Sequence, residues 1–204
     1  DQPSITGWVI ENFEEGATNT WQWGEPTGDK INTAASGDNL FATHLSGKYD
    51  NNEKGMITSP CFDFSQVQRP MLKMNFISYT ETDRDGVVMQ YTKPNGDWTT
   101  IGVPADGINW YNSYIISGSP ANQQLGWTGE IIDSENNGWN TAMFRLDELR
   151  GRAGVRFRIV FGSNGDFTDE GFAFDNVEFR ERERLVLLEN FTNIYDDDAS
   201  QSQD

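Results

Sequence analysis

Val155-Arg-Phe-Arg-Ile-Val-Phe161 and Gly171-Phe-Ala-Phe-Asp-Asn-Val-Glu-Phe179, joined by Gly162-Ser-Asn-Gly-Asp-Phe-Thr-Asp-Glu170, set the architecture of this chain. Val155, Phe157, Ile159 and Phe161 alternate with Arg156, Arg158 and Val160. A period of two places an apolar row on one face of a strand and mostly charge on the other, which is the pattern of a half-buried antiparallel strand. The Gly/Asn/Asp-rich stretch after it is a turn. In the second segment Asp175 shares a face with Ala173 and Val177, so its carboxylate points with apolar neighbours and needs a partner. That partner is either a set of backbone amides or a metal ion.

Outward from this pair the same texture repeats. Gly7 to Gly16 is a short strand closed by an acidic turn, and Trp21 and Trp23 are spaced to lie on one face. The segment from Gly28 to Asn39 is rich in Gly, Ser, Thr and Asn and reads as loop. Leu40–Leu45, Met56–Phe64 and Met71–Tyr79 read as strands, the last two parted by Arg69-Pro70. Gly86–Tyr91 pairs with Trp98–Gly102 across Lys93-Pro-Asn-Gly96, a hairpin signal. Val103 to Trp139 is irregular and aromatic, and Leu146–Leu149 suggests one helical turn. Many short strands between turn signals predict an all-β, two-sheet antiparallel sandwich.

The chain of 204 residues is 36% hydrophobic and 13% aromatic, enough for a core. Its net charge of −17 argues against nucleic acid and anionic membranes as partners and suits cation capture. With Cys61 as the single cysteine, neither an intramolecular disulfide nor a cysteine zinc cluster forms, and Cys61 reads as a small buried strand residue. No run of about 18 apolar residues marks a membrane span, and the N-terminus carries no signal-peptide pattern. Abundant Asn, Gly, Thr and Trp fit a secreted protein.

Phe13-Glu-Glu-Gly with Trp21, Ile57-Thr-Ser-Pro-Cys-Phe-Asp-Phe, Asp85-Gly-Val-Val-Met-Gln-Tyr with Trp98-Thr-Thr-Ile-Gly, and Gly171-Phe-Ala-Phe-Asp-Asn-Val-Glu-Phe together resemble a MAM-type jelly-roll domain. More closely they resemble the MAM-like, concanavalin A-like modules of bacterial secreted and cell-surface proteins. The resemblance spans residues 5 to 180 and lacks the disulfide cysteines of animal MAM domains. It implies a jelly-roll sandwich working in adhesion or binding without chemistry of its own, extracellular or at the cell surface, with a glycan or protein ligand and other domains in the same polypeptide. It also implies a structural calcium between the first and last strands, for which the matching positions are Glu14, Asp38 and Asp175. Two local imitations, Glu81-x-Asp83-x-Asp85-Gly86 and Asp50-x-Asn52-x-Lys54-Gly55, lack the final glutamate of an EF-hand loop. The first reads as a hairpin turn.

Three further readings concern boundaries and chemistry. Residues 1–180 form the domain, and 181–204 are a charged connector followed by a polar, mobile tail. Within the latter, Leu185–Thr192 resembles the first strand of a thioredoxin-like domain, or adds to the sandwich edge. The lone His44 supplies no histidine-rich zinc site. Trp127-Thr-Gly-Glu-Ile-Ile-Asp-Ser-Glu135 is similar to the Glu-x-Asp-x-Glu strand of laminarinase-type glycoside hydrolases, yet Glu130 and Asp133 are three apart and fall on opposite faces. Carbohydrate binding is the alternative to adhesion: Trp110, Tyr111, Tyr114 and Trp127 lie in loop-like sequence, where flat rings either stack on a pyranose or fold back to cover one sheet as core.

Overall fold

The computed structural model describes residues 7–183, and Leu185–Thr192 lies outside them. Among the described residues twelve strands run in chain order. The first six are β1 (Val9–Asn12), β2 (Gln22–Gly24), β3 (Leu40–Ala42), β4 (Lys54–Thr58), β5 (Pro70–Tyr79) and β6 (Gly86–Thr92). They are followed by β7 (Trp98–Thr100), β8 (Trp127–Thr128), β9 (Glu130–Ile131), β10 (Asn140–Arg145), β11 (Phe157–Gly162) and β12 (Gly171–Glu181). They form two six-stranded sheets, one ordered β1-β4-β11-β6-β7 with β8 against β6, the other β10-β5-β12-β3-β2 with β9 against β5. All strand pairings are antiparallel. The fold is the expected all-β jelly-roll sandwich.

The two alternating segments sit at the centre of opposite sheets. Phe157, Ile159 and Phe161 of β11 are fully buried and face Phe172 and Phe174 of β12 across the interior, with Ile57, Val87 and Met89 on one side and Leu72, Met74 and Phe76 on the other. Each such side chain contributes about 1.5–3 kcal/mol by leaving water, so this layer supplies much of what opposes chain entropy. The segment Glu81–Asp85 connects β5 to β6 and therefore crosses between sheets, where the sequence suggested a hairpin.

The stretch from Gly28 to Asn39 is a loop, as expected, but an organised one. The Glu170 carboxylate accepts hydrogen bonds from the amides of Asp29 (2.8 Å), Lys30 (2.9 Å) and Ile31 (2.7 Å). Gly28 is needed for this approach, because a Cβ there would lie 2.9 Å from the Ile31 carbonyl oxygen and closer still to Glu170. Held this way, the loop folds onto the outer side of the second sheet and buries Ile31 with Leu40, Ala42, Ile77, Trp139 and Ala173 in a second, smaller core. It covers only half of that outer face.

Candidate functional site

The loop aromatics are where the sequence misleads. Trp110, Tyr111 and Trp127 are 1%, 5% and 1% exposed, so they are core rather than a sugar-stacking surface. Their polar atoms are met by backbone: Trp110 Nε1 donates to Ile101 O (2.9 Å), Trp127 Nε1 to Asn109 O (2.9 Å) and Tyr111 OH to Met89 O (3.1 Å). Irregular backbone hid a rule of packing: a large ring stays buried when its one polar atom finds a partner. Tyr114 alone of the four is exposed, at 57%. Conversely Trp8, Trp23 and Trp98 are half-buried and reach solvent.

The proposed calcium residues are not assembled. Glu14 pairs with Lys54 at 3.2 Å, which with Asn122 holds its carboxyl below the usual range. Asp175 instead accepts from the Ser36 amide (2.9 Å) and from the Asn176 amide (2.7 Å), the amide-bound alternative for this carboxylate. Asp38 is exposed in the loop two residues beyond Ser36. Among the described residues no group of three or more His, Cys, Asp or Glu side chains is placed to hold a metal. The hydrolase triplet is dispersed too, since Glu130 lies in β9 while Asp133 caps the short turn Ser134–Asn136, accepting from the Glu135 amide at 3.1 Å. His44 is taken up locally, its Nδ1 accepting from the Ser46 amide at 3.2 Å. Cys61 is exposed, because β4 stops at Thr58.

What Asp175 does build is a slot. The β12–β5 register breaks between Asp175 and Glu178, and Asn176 sits at the break with a left-handed φ of 52°. Asparagine tolerates that conformation, and a bulge is a standard device for re-aiming side chains. β3 pairs with β12 only at Ala42–Ala173 and Phe41–Phe174. Beyond that point the strands part, leaving an open cavity of about 240 Å³. Its inner wall is the stacked pair Phe41 and Phe174, ring centroids 5.1 Å apart, with Trp8 packed against both. Trp23, opposite Phe41 on β2, closes the other side.

The rim is polar. Asn39, Asp175 and Asn176 line it. Asn176 Oδ1 accepts from Ser36 Oγ at 2.6 Å and its Nδ2 donates to Asn75 Oδ1 at 3.2 Å, so the rim is held from the loop on one side and β5 on the other. Asn39 makes no side-chain hydrogen bond among the described residues and is exposed at the mouth. Two half-exposed indoles beside a carboxylate and two amides can stack on an apolar ring face while accepting and donating hydrogen bonds to hydroxyls. The sequence signal was present in Trp21-Gln-Trp23, whose spacing sends Trp21 into the core and leaves Trp23 at the sheet's edge, and in the Phe-Asp-Asn of β12.

A second hollow, of about 500 Å³, opens on the outer face of the second sheet, lined by Met71, Met143, Arg145, Arg182 and the Asp106–Ile108 segment. Two buried carboxylates lie elsewhere. Burial pushes Glu53 up to about 7 despite hydrogen bonds from Thr20, and Asp85 up to about 6 despite those from Asn164 and Tyr49. Glu53 is entirely enclosed and ties Thr20 to β4, while Asp85 ties the β5–β6 connection to Asn164. Both therefore serve the fold.

No protein-family model matches the chain. It is similar to Bacillopeptidase F of Bacillus subtilis (strain 168), 30% identical over an alignment of 187 residues that covers 86% of this chain and 11% of that protein's length. Among solved structures it is similar to the family 11 carbohydrate-binding module from Clostridium thermocellum in complex with a β-1,3-1,4-mixed-linked tetrasaccharide, with a TM-score of 0.44 and 9% identity over 89% of this chain and 92% of that one. It is also similar to the K2 cleaved adhesin domain of Lys-gingipain, with a TM-score of 0.45 and 15% identity over 86% of this chain and 89% of that one. No helix among the described residues is long and apolar enough to cross a membrane.

Proposed function

We propose that this chain is a non-catalytic binding module whose ligand is a glycan, taken in the slot between β3 and the β12 bulge. The observation that carries this reading is the slot itself: Trp8 and Trp23 beside Asp175, Asn176 and Asn39 around one open cavity of about 240 Å³. An apolar cavity with few, fixed polar groups is the usual form of a small-ligand site, and this mixture of flat ring and hydrogen-bonding rim suits a polyhydroxylated ring. The dispersal of Glu130, Asp133 and Glu135 supports binding over hydrolysis. The likeness of nearly the whole chain to 11% of a longer protein supports a module within a larger polypeptide, and the MAM-like order of motifs supports a place in a secreted or surface protein.

The test is calorimetric titration of the 204-residue chain with neutral β-linked oligosaccharides, alongside Trp23→Ala. Binding that falls at least tenfold in the variant, with unfolding unchanged, is the expected result; tenfold corresponds to about 1.4 kcal/mol. Equal binding by the two proteins overturns the slot as the site.

A further inference from the structure

The loop Gly28–Asn39 leaves half of the second sheet's outer face open, and that half carries an unusual charge. Along β5 the outward positions are Asn75, Lys73 and Met71. The register sets Asp175, Glu178 and Arg180 beside them on β12, and Thr141, Met143 and Arg145 beside them on β10. The row through Asn75 begins at the slot, since Asn75 holds Asn176. The last row ends in the hollow of about 500 Å³, which has Met71 and Met143 as floor and Arg145 and Arg182 at its sides. The wall opposite is Ile108, which bonds to Met143 through both backbone groups at 3.0 Å and continues the sheet by one residue.

Lys73, Arg145, Arg180 and Arg182 thus gather on one face of a chain of net charge −17, in which acids outnumber bases 32 to 15. Three carboxylates attend them. Glu178 lies 3.7 Å from Lys73 and 3.9 Å from Arg180, and Asp147 lies 3.5 Å from Arg182. Asp106 spends one oxygen on the Val103 amide at 3.0 Å. Arg145 has no carboxylate within ion-pairing distance among the described residues and is exposed. Arg145 shares its unpaired state with other basic residues of the chain; what distinguishes it is its place on the lining of a cavity, beside Arg182. The distant negative charge does not cancel it, because charges beyond about 8 Å are screened at physiological salt.

We propose that this hollow binds the acidic substituent, a carboxylate or a sulfate, of a charged polysaccharide whose neutral portion occupies the slot; the proposal rests on the glycan reading of that slot. From Asn75, which pairs with the slot's Asp175 and holds its Asn176, to Met71 is four residues, about 13 Å at about 3.3 Å per residue, so an oligosaccharide that crosses the slot's polar rim reaches the hollow along the sheet. The planar guanidinium of Arg145 offers the paired donors that match a carboxylate or sulfate edge. The methionines give a floor that adapts to ring shape.

The experiment uses the 204-residue chain with oligogalacturonate and alginate oligomers, a heparin hexasaccharide, and the methyl-esterified or desulfated form of each. Acidic forms are expected to bind about tenfold more tightly than their neutralised counterparts, with an affinity that falls as NaCl rises from 50 to 500 mM. Arg145→Gln should remove that preference, while Trp23→Ala weakens acidic and neutral forms alike. The carboxylate and sulfate arms tell which group is taken. Equal affinity for charged and neutralised forms overturns the proposal while leaving the slot standing. Neutral forms that bind equally to Trp23→Ala and the parent overturn the slot instead, and no binding by any form overturns both. Binding of poly-glutamate as tight as that of the acidic sugars overturns the glycan assignment of the hollow.

Discussion

The Asp175 carboxylate and the Ser36 amide, 139 residues apart in the chain, are 2.9 Å apart in the fold. With the bond from Ser36 Oγ to Asn176 Oδ1, that contact joins the loop covering half of the outer sheet face to the bulge that opens the slot, so the site's shape depends on a carboxylate used as a latch. Replacing Asp175 by Ala removes the acceptor for both the Ser36 and Asn176 amides. Both lie near solvent and can turn to water, so the stability cost is about 1 kcal/mol. The rim, however, loses its fixed geometry. Denaturant unfolding together with glycan titration should therefore show a small stability change and a larger loss of affinity; the reverse pattern would make Asp175 a purely structural residue.

Trp127→Ala and Trp23→Ala should part cleanly. Trp127 packs edge-on to Trp110 and Tyr111 at 4.8 and 4.5 Å and is 1% exposed, so its truncation should cost about 3–5 kcal/mol of unfolding free energy. Trp23 stands half-buried at a sheet edge, outside the main core cluster, so its truncation should cost clearly less than that of Trp127. Urea denaturation midpoints of the two variants decide between these outcomes.

The division between those two tryptophans also marks what a reader of the sequence can see. The alternation of Phe157, Ile159 and Phe161 and of Phe172 and Phe174 was enough to find the two central strands, because period two has one physical cause. The Lys93–Gly96 turn fixed the β6–β7 pairing for the same reason. Burial of Trp110, Tyr111 and Trp127 was not legible, since it depends on carbonyls of Ile101, Asn109 and Met89 brought close only by the tertiary fold. The pattern around Asp175 marks it as a carboxylate in need of partners. Its partner in the loop lay beyond any local pattern, as did the carboxylate of Glu170 that holds that loop in place.

Cys61 follows the same lesson. The strand expected to run from Met56 to Phe64 ends at Thr58; Ser59 still bonds to Phe157 and Phe62 to Val155, but the register slips by one residue between them, at Pro60-Cys61. The thiol is therefore exposed and should react with a thiol-specific reagent such as dithionitrobenzoate in the native protein, to the same extent as after denaturation. A thiol silent until unfolding would restore the buried reading.

Glu53 makes stability depend on pH in a direction opposite to most carboxylates. It is fully enclosed, and burial raises its pKa to about 7, above the ordinary value of 4.5 that it regains on unfolding. Between these values the folded state holds a proton that the unfolded chain has released. Because the unfolded state binds fewer protons there, stability falls as pH rises. The contribution is fully present below pH 4.5 and lost as pH passes about 7. Asp85, raised to about 6 from 3.8, acts in the same sense over a lower window. Overall repulsion within a chain of charge −17 also eases on acidification, so the parent protein alone does not isolate the effect. Glu53→Gln does, because its amide still accepts from the Thr20 amide and donates to Thr20 Oγ1, but no longer titrates. Melting temperatures measured from pH 5 to 8 should decline more steeply for the parent than for Glu53→Gln, with the variant gaining relative stability at pH 8. Parallel curves for the two proteins would mean that Glu53 stays ionised in the fold, with Thr20 and Asp50 supplying enough hydrogen bonding to outweigh its burial.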